Sequence, residues 1–63
     1  MKNIIKEIRI NEEITLEYLS YVSGVSISYL NKLENGKKNN PSNNVMITIA
    51  KALNKQVSEV FFD

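Results

Sequence analysis

The chain contains no cysteine and no histidine. Without thiols and imidazoles it has no disulfides, no zinc-finger ligand set and no imidazole base. No apolar run approaches the roughly 20 residues that a membrane-spanning helix needs. The N-terminal segment MKNIIKEIRI carries charges within its apolar pattern, unlike a signal peptide. We therefore expect a cytoplasmic protein that uses no metal and no other cofactor.

The size of the chain limits it to one domain, which we predict to span residues 1–63. A chain of this length buries only about 60% of its unfolded surface, so its core is small and its connections are short. With 43% apolar and 24% charged residues, its composition is that of an ordinary globular domain.

Charge is unevenly distributed along the chain, although the net charge is only +1. Residues 1–23 carry three basic and four acidic side chains, whereas residues 24–55 carry five lysines and one glutamate. Basic charge in one segment suits a polyanionic partner such as nucleic acid. Charge alone is equally consistent with a solvated lysine surface.

Apolar spacing and capping residues predict five short helices and no strand, hence an all-α fold. The first helix is predicted to start at the cap Asn3 and to end near Asn11. The second is predicted to follow the cap Thr15, with Leu19 and Val22 pointing inward.

The remaining boundaries rest on glycines and caps. Gly24 supplies the positive φ that ends the second helix, and Ser26 caps a third helix that ends near Asn35. Ser42 or Asn43 caps a fourth helix with an apolar stripe formed by Val45, Met46, Ile49, Ala50 and Leu53. Ser58 is predicted to cap a last helical turn, Glu59–Phe62.

The third helix has two different sides. On a helix that advances 100° per residue, an arc of about 140° contains Ile27, Ser28, Asn31, Lys32 and Asn35. Leu30 and Leu33 lie opposite. The pattern therefore predicts a helix that is anchored from behind and displays a polar-leaning face, as a reader of the DNA major groove requires.

Several motifs occur in register along nearly the whole chain, from Ile5 to Phe62. They include Ile5-Lys6-Glu7-Ile8-Arg9, Ser23-Gly24-Val25-Ser26, Lys32-Leu33-Glu34-Asn35-Gly36-Lys37, Pro41-Ser42, Ile49-Ala50-Lys51-Ala52-Leu53 and Val57-Ser58-Glu59-Val60-Phe61. In this series the chain resembles the Cro/CI-type helix-turn-helix domains of phage repressors and small bacterial regulators. The resemblance implies a compact five-helix, lambda-repressor-like domain that binds double-stranded DNA as a transcription regulator. Repression and a homodimer are the output and assembly that we expect with it.

The resemblance also implies roles for individual residues. The positions that match base-reading residues are Ser26, Ile27, Ser28, Asn31 and Lys32. The positions that match phosphate-binding residues are Thr15, the backbone at Leu16, Asn35, Lys37, Lys38, Asn39 and Asn40. Arg9 and Glu34 match an internal ion pair between the first and third helices. We expect a dimer contact at Val57, Phe61 and Phe62, with one phenylalanine buried in the core.

Two positions depart from the family pattern, because Leu16 and Ile27 are apolar where many relatives have polar residues. Contact with thymine methyl groups is one interpretation. Another is that the protein reads its site with fewer hydrogen bonds, and a third is that this face meets protein. Ile4 and Ile10 are further surplus apolar residues, which are either isolated surface residues or a partner patch.

Two other classes of function compete with DNA binding. The same scaffold serves as a protein-interaction module, such as an antitoxin or adaptor. Catalysis is disfavoured, because the sequence offers no nucleophile–base pair, metal-ligand cluster or glycine-rich phosphate loop. The adjacent acids Glu12 and Glu13 are better interpreted as a solvated turn. We therefore expect no enzymatic activity.

Overall fold

Five helices and one short strand pair make up the protein in a computed structural model that describes residues 1–38 and 40–63. The elements, in chain order, are β1 (Lys2–Asn3), α1 (Ile5–Asn11), α2 (Leu16–Ser23), α3 (Ile27–Glu34), α4 (Asn43–Ala52), α5 (Val57–Val60) and β2 (Phe61–Phe62). The predicted five-helix fold is confirmed. Within the described ranges, no helix is long and apolar enough to cross a membrane.

The core is formed by apolar side chains from all five helices and β2: Ile5, Ile8, Leu19, Leu30, Leu33, Ile49, Ala50, Leu53, Val60 and Phe61. α2 packs against both α3 and α4. The predicted stripe of α4 is confirmed, since its first two residues are partly buried and the other three fully buried. Leu30 and Leu33, which form the inner side of α3, are part of this core.

Hydroxyl caps begin three of the helices. The side chains of Thr15, Ser26 and Ser42 accept hydrogen bonds from the N–H groups three residues later, at 3.0, 3.1 and 3.3 Å. Each cap satisfies one of the N–H groups that a helix start leaves without a partner. These caps confirm the predicted starts of α2, α3 and α4.

The turn between α2 and α3 is held by short-range hydrogen bonds. Gly24 has φ +74°, as predicted, and the Ser23 hydroxyl accepts from the Val25 N–H at 3.1 Å. The Ser20 hydroxyl donates to the Val25 carbonyl at 2.7 Å, which ties the turn back onto α2. These bonds fix the turn that joins α2 to α3.

The predicted absence of strands is wrong. β1 and β2 pair antiparallel, with Lys2 opposite Phe62 and Asn3 opposite Phe61. Because side chains alternate along a strand, Phe61 is buried and Phe62 is 41% exposed. This also corrects the predicted last helical turn, Glu59–Phe62.

Three local predictions differ from the structure. Asn3 lies one residue before the N-cap position of α1, although its side chain still accepts from the Ile5 N–H at 3.2 Å. α5 is capped at Gln56 rather than Ser58, and the Glu59 carboxylate accepts from the Gln56 N–H at 2.7 Å. Val22 is 45% exposed. The buried side of α2, which contains Leu19, is centred about 110° away from Val22 around the helix.

Gly24 provides a test of the turn. An added Cβ would meet no atom within 4 Å, so the positive φ alone opposes a side chain there. We expect Gly24→Ala to lower the free energy of unfolding by about 1–2 kcal/mol. Urea titration measures this loss. Gly24→Asn is the matched control and is expected to lose less, because asparagine tolerates this conformation. Equal losses for both variants would contradict the explanation.

Candidate nucleic-acid interface

The displayed face of α3 consists of five exposed side chains that share one arc: Ile27, Ser28, Asn31, Lys32 and Asn35. Leu30 and Leu33, on the opposite side, are 0% and 1% exposed. The structure therefore brings the predicted α3 residues together on one accessible surface. Ser26 is also exposed, but its hydroxyl caps α3.

One edge of this face is fixed by an ion pair between Arg9 of α1 and Glu34 of α3. The guanidinium donates two hydrogen bonds to the carboxylate, at 2.7 and 3.0 Å. The side chains are only 14% and 4% exposed. A third guanidinium N–H reaches the carbonyl of Ile14 at 3.1 Å. Arg9 therefore joins α1, the α1–α2 connector and the end of α3.

The ion pair also determines the charge at this edge. The hydrogen bonds that Arg9 donates to the Glu34 carboxylate raise the pKa of Arg9 above its usual value, against the opposing effect of burial. Arg9 therefore stays charged, and it compensates the negative charge of Glu34. The carboxylate of Glu34, on α3 itself, is thus paired with an opposite charge.

A second side chain secures the last turn of α3. The Asn3 amide donates to the Leu33 carbonyl at 3.0 Å. This carbonyl lies in the final helical turn, where helices leave acceptors without a partner within the helix. Asn3 and Arg9 therefore hold the same end of α3 from the N-terminal part of the chain.

The opposite edge of the face adjoins the lysine-containing loop after α3. The N–H groups of Lys37 and Lys38 both donate to the Lys32 carbonyl, at 2.8 and 3.3 Å. Gly36 has φ +73°, which lets the chain turn back after α3. Three lysines therefore lie near one end of α3. The Lys38 ammonium also lies 5.7 Å from the centre of the Tyr29 ring.

Within the face, two predicted site residues bind each other. The Asn35 amide group donates to the Asn31 side-chain oxygen at 3.1 Å. The bond leaves the Asn31 amide N–H groups, and one N–H of Asn35, pointing at solvent or a ligand. Asn35, which the family resemblance assigns to phosphate binding, thus also contacts a predicted base-reading residue.

The start of α2 offers backbone donors. Thr15 uses its side-chain oxygen to cap the Tyr18 N–H. The N–H groups of Leu16 and Glu17 occupy the first two helical positions, where no carbonyl within the helix can accept from them. Such N–H groups, together with the helix dipole, favour an anion. Leu16 presents only its backbone in this way, since its side chain packs against the core.

The surplus apolar residues separate into two kinds. Ile27 is 44% exposed on the displayed face, whereas Leu16 is half-buried. Ile4 packs against the core and Ile10 is 60% exposed, so these two do not form one exposed patch. Of the four, Ile27 is the one that lies on the face of α3.

The predicted dimer contact is altered by the fold. Phe61 is 5% exposed and belongs to the core, so it has almost no surface to give to a partner, and its assignment to a dimer contact is wrong. Val57 is partly buried and Phe62 is 41% exposed. Burial of one phenylalanine, as predicted, is confirmed.

The remaining predicted site residues lie in the loop between α3 and α4. Asn40 is exposed, and Asn39 lies outside the described residues.

Glu12 and Glu13, in the connector between α1 and α2, border a shallow surface cleft beside Ala52 and Asn54. The Lys55 ammonium lies 3.8 Å from the Glu12 carboxylate across exposed surface.

The order of helices, the glycine turn and the outward face of α3 are those of a DNA-binding helix-turn-helix. The helix-turn-helix family model matches residues 5–60, and the chain belongs to the Cro/CI-type helix-turn-helix family. DNA binding in transcription regulation is the function class of this family, whose members are regulators and not enzymes.

Solved structures that are similar to the chain include those of a controller protein and a gene regulator. The restriction-modification controller protein C.AhdI from Aeromonas hydrophila has a TM-score of 0.83 and 30% identity, over 90% of this chain and 85% of that one. The clp gene regulator ClgR from Corynebacterium glutamicum has a TM-score of 0.79 and 31% identity, over 87% of this chain. The chain spans only 57% of the ClgR chain. No curated protein matches.

Sequence reasoning missed three contacts at this surface: those of Asn3 with Leu33, Asn35 with Asn31 and Lys38 with Tyr29. The four-residue spacing of Asn31 and Asn35 was a usable signal, since side chains four apart on a helix are neighbours. The other two join segments whose approach no local pattern specifies.

The ion pair generates a stability prediction. We expect Glu34→Ala to lower the free energy of unfolding by about 3 kcal/mol, because it leaves the Arg9 charge buried without its partner. Urea titration measures the loss. Glu12→Ala is the matched control, since it breaks an exposed pair that contributes about 0–1 kcal/mol.

Replacing both partners distinguishes pairing from packing. Arg9→Met with Glu34→Leu is expected to be more stable than Glu34→Ala alone, since no buried charge remains. Arg9→Met and Glu34→Leu are also measured as single variants. If the double variant lost as much stability as the two single variants together, the result would contradict a direct coupling of Arg9 with Glu34.

Proposed function

We propose that the protein is a transcriptional repressor that binds a specific double-stranded DNA operator, with α3 in the major groove. The displayed face of α3 carries the proposal. Five accessible side chains share one side of a helix whose other side is buried. The gene-regulatory names of C.AhdI and ClgR support regulation as the outcome.

In this proposal, base edges are read from the start and middle of α3. Ser28 and Asn31 supply hydrogen-bonding groups, and Lys32 supplies a cation that suits guanine acceptors. Ser26 stands at the start of the helix, where its hydroxyl is already used as a cap. The hydrogen bond from Asn35 restricts Asn31 before DNA arrives, which reduces the entropy that binding must overcome.

Phosphates are held on both sides of α3. The N–H groups at the start of α2, beside Thr15 and Leu16, bind one phosphate strand. Asn35 and the loop residues Lys37, Lys38, Asn39 and Asn40 bind the other. These contacts fix the register of the protein without reading sequence.

The charges of the interface favour this arrangement. Lys32, Lys37 and Lys38 are all exposed near the end of α3. The carboxylate of Glu34 is 4% exposed and is paired with Arg9. The phosphate backbone therefore meets three ammonium groups and no free carboxylate from the described part of α3, which strengthens attraction at long range.

Ile27 gives the reading face an apolar component. Its side chain is 44% exposed on the same arc as Ser28 and Asn31. An exposed aliphatic group at this position suits the C5-methyl group of thymine, which is read in the major groove by apolar contact. We infer that the operator half-site contains a thymine opposite Ile27.

A homodimer completes the proposal, because one copy reads too few base pairs for useful affinity. Two copies related by a two-fold axis would read half-sites about 34 Å apart, one turn of DNA. The end of α4, Val57 and Phe62 form the proposed contact. Phe62 is the exposed aromatic residue of this segment.

Selection from a random pool of DNA duplexes tests the function. We expect recovery of a two-fold symmetric site, bound much more tightly than unselected DNA. With three lysines from each copy, the logarithm of the binding constant should fall with the logarithm of salt concentration with a slope of about −5.

The same experiment separates DNA reading from protein interaction. Binding of micromolar or weaker affinity, equal for every DNA sequence, would contradict a specific regulator. That outcome would favour a protein-interaction module on the same scaffold, with Ile27 as part of the docking surface.

Single substitutions test the division between base and phosphate contacts. Ser28→Ala and Asn31→Ala should each reduce the preference for the selected site by about 1–3 kcal/mol. Lys38→Ala should weaken binding to all sequences alike and make the salt slope shallower by about one unit per copy. Titration against selected and scrambled duplexes measures both effects.

Lys6→Ala is the matched control for the loss of a lysine charge. Lys6 is exposed on α1, which supplies no residue to the proposed DNA and dimer contacts. It should leave affinity and the salt slope nearly unchanged. A change of sequence preference in Lys38→Ala would contradict the assignment of Lys38 to phosphate.

A further inference from the structure

Tyr29 stands out among the residues of α3 because it is neither a core residue nor part of the displayed face. It is half-buried and packs against the core from the edge of α3. By helical geometry it lies about 60° beyond Lys32, on the side away from Glu34. Its exposed portion therefore borders the lysine side of the displayed face.

The Lys38 ammonium lies 5.7 Å from the centre of this ring. A cation within about 6 Å of an aromatic face is attracted by the negative face of the ring. The ring covers only one side of the ammonium, and Lys38 remains exposed. Its other N–H groups thus remain available to a ligand.

Lys38 has two other lysines as neighbours at this end of α3. The N–H groups of Lys37 and Lys38 both donate to the Lys32 carbonyl, so three lysines share one short stretch of surface. Like charges at close range favour conformations in which the side chains spread apart. The Tyr29 ring opposes this spreading at Lys38 alone.

We propose that Tyr29 is a positioning residue that holds the Lys38 ammonium beside the end of α3, where it binds a DNA phosphate. This inference rests on the proposed function. Holding the ammonium before DNA arrives removes part of the side-chain entropy that a free lysine loses on binding. The tyrosine therefore strengthens phosphate binding without contacting DNA.

The test is a double-substitution cycle on the full chain, titrated against a duplex selected from the random pool at several salt concentrations. Tyr29→Leu should weaken binding about 2- to 5-fold for each copy bound, at every salt concentration, the range expected for an exposed cation–π contact. The salt slope should persist, because the lysine charge remains. Tyr29→Phe keeps the ring and should bind as the unaltered protein does.

The second arm of the cycle isolates the coupling. In the Lys38→Ala background, Tyr29→Leu should have no further effect on affinity, because its only route to DNA is gone. Tyr21→Leu is the matched control: Tyr21 is 86% exposed on α2 and should not affect binding in either background.

Proton NMR of the free protein supplies a readout that general destabilisation does not imitate. The side-chain protons of Lys38 should be shifted upfield by the Tyr29 ring. The shift should persist in Tyr29→Phe and vanish in Tyr29→Leu, and urea titration shows whether each variant is folded.

Three results would overturn the proposal. An equal loss from Tyr29→Leu with and without Lys38 would mean that the tyrosine acts independently. A loss in Tyr29→Phe as large as in Tyr29→Leu would assign the contact to the hydroxyl. Absence of salt-dependent binding by the unaltered protein would overturn the proposed function itself, a failure that is distinct from the other two.

Discussion

The orientation of α3 depends on the buried pairing of Arg9 with Glu34. Its two hydrogen bonds, at 2.7 and 3.0 Å, join the first helix to the last turn of the third. The third bond of Arg9, to the Ile14 carbonyl, brings in the connector that leads to Thr15 and α2. One guanidinium therefore sets the relation among the three segments that the proposed DNA-binding surface requires. A planar group with several donors in fixed directions suits this role, and a lysine would not reproduce it.

The displayed face of α3 is bounded by two different electrostatic contacts. At one edge, Glu34 is buried and compensated by Arg9. At the other, Lys38 remains exposed and lies over the Tyr29 ring. Negative charge is thereby neutralised while positive charge stays accessible. This asymmetry makes the surface attractive to phosphate, although the whole chain has a net charge of only +1.

Much of the fold was predictable from sequence because its helix boundaries depend on nearby residues. Thr15, Ser26 and Ser42 each cap a helix through a hydrogen bond to the N–H group three residues later. The end of α2 depends on the positive φ of a single residue, Gly24. The arc of α3 follows from helical periodicity in the same way. The Arg9–Glu34 pair was predicted only through the family resemblance. Its two residues are 25 positions apart, and nothing in that separation specifies a contact.

The failures of prediction involve contacts between distant segments. Phe61 and Phe62 continue a helical pattern locally, but Lys2 and Asn3 offer them strand pairing from the other end of the chain. Val22 has suitable spacing for burial, yet the way α2 packs on its neighbours leaves it exposed. In the site, the contact of Lys38 with Tyr29 depends on the path of the loop, which no periodic pattern encodes.

The strand pair has a consequence for the order in which the structure forms. Asn3 pairs with Phe61 through β1 and β2, and its side chain donates to the Leu33 carbonyl of α3. Closing so long a stretch of chain costs more entropy than forming a local helix, so we expect this pairing to form late in folding. On the ribosome, Phe61 and Phe62 emerge after all five helices have been synthesised. Until they do, Asn3 lacks its strand partner, and the end of α3 lacks support that the mature domain has.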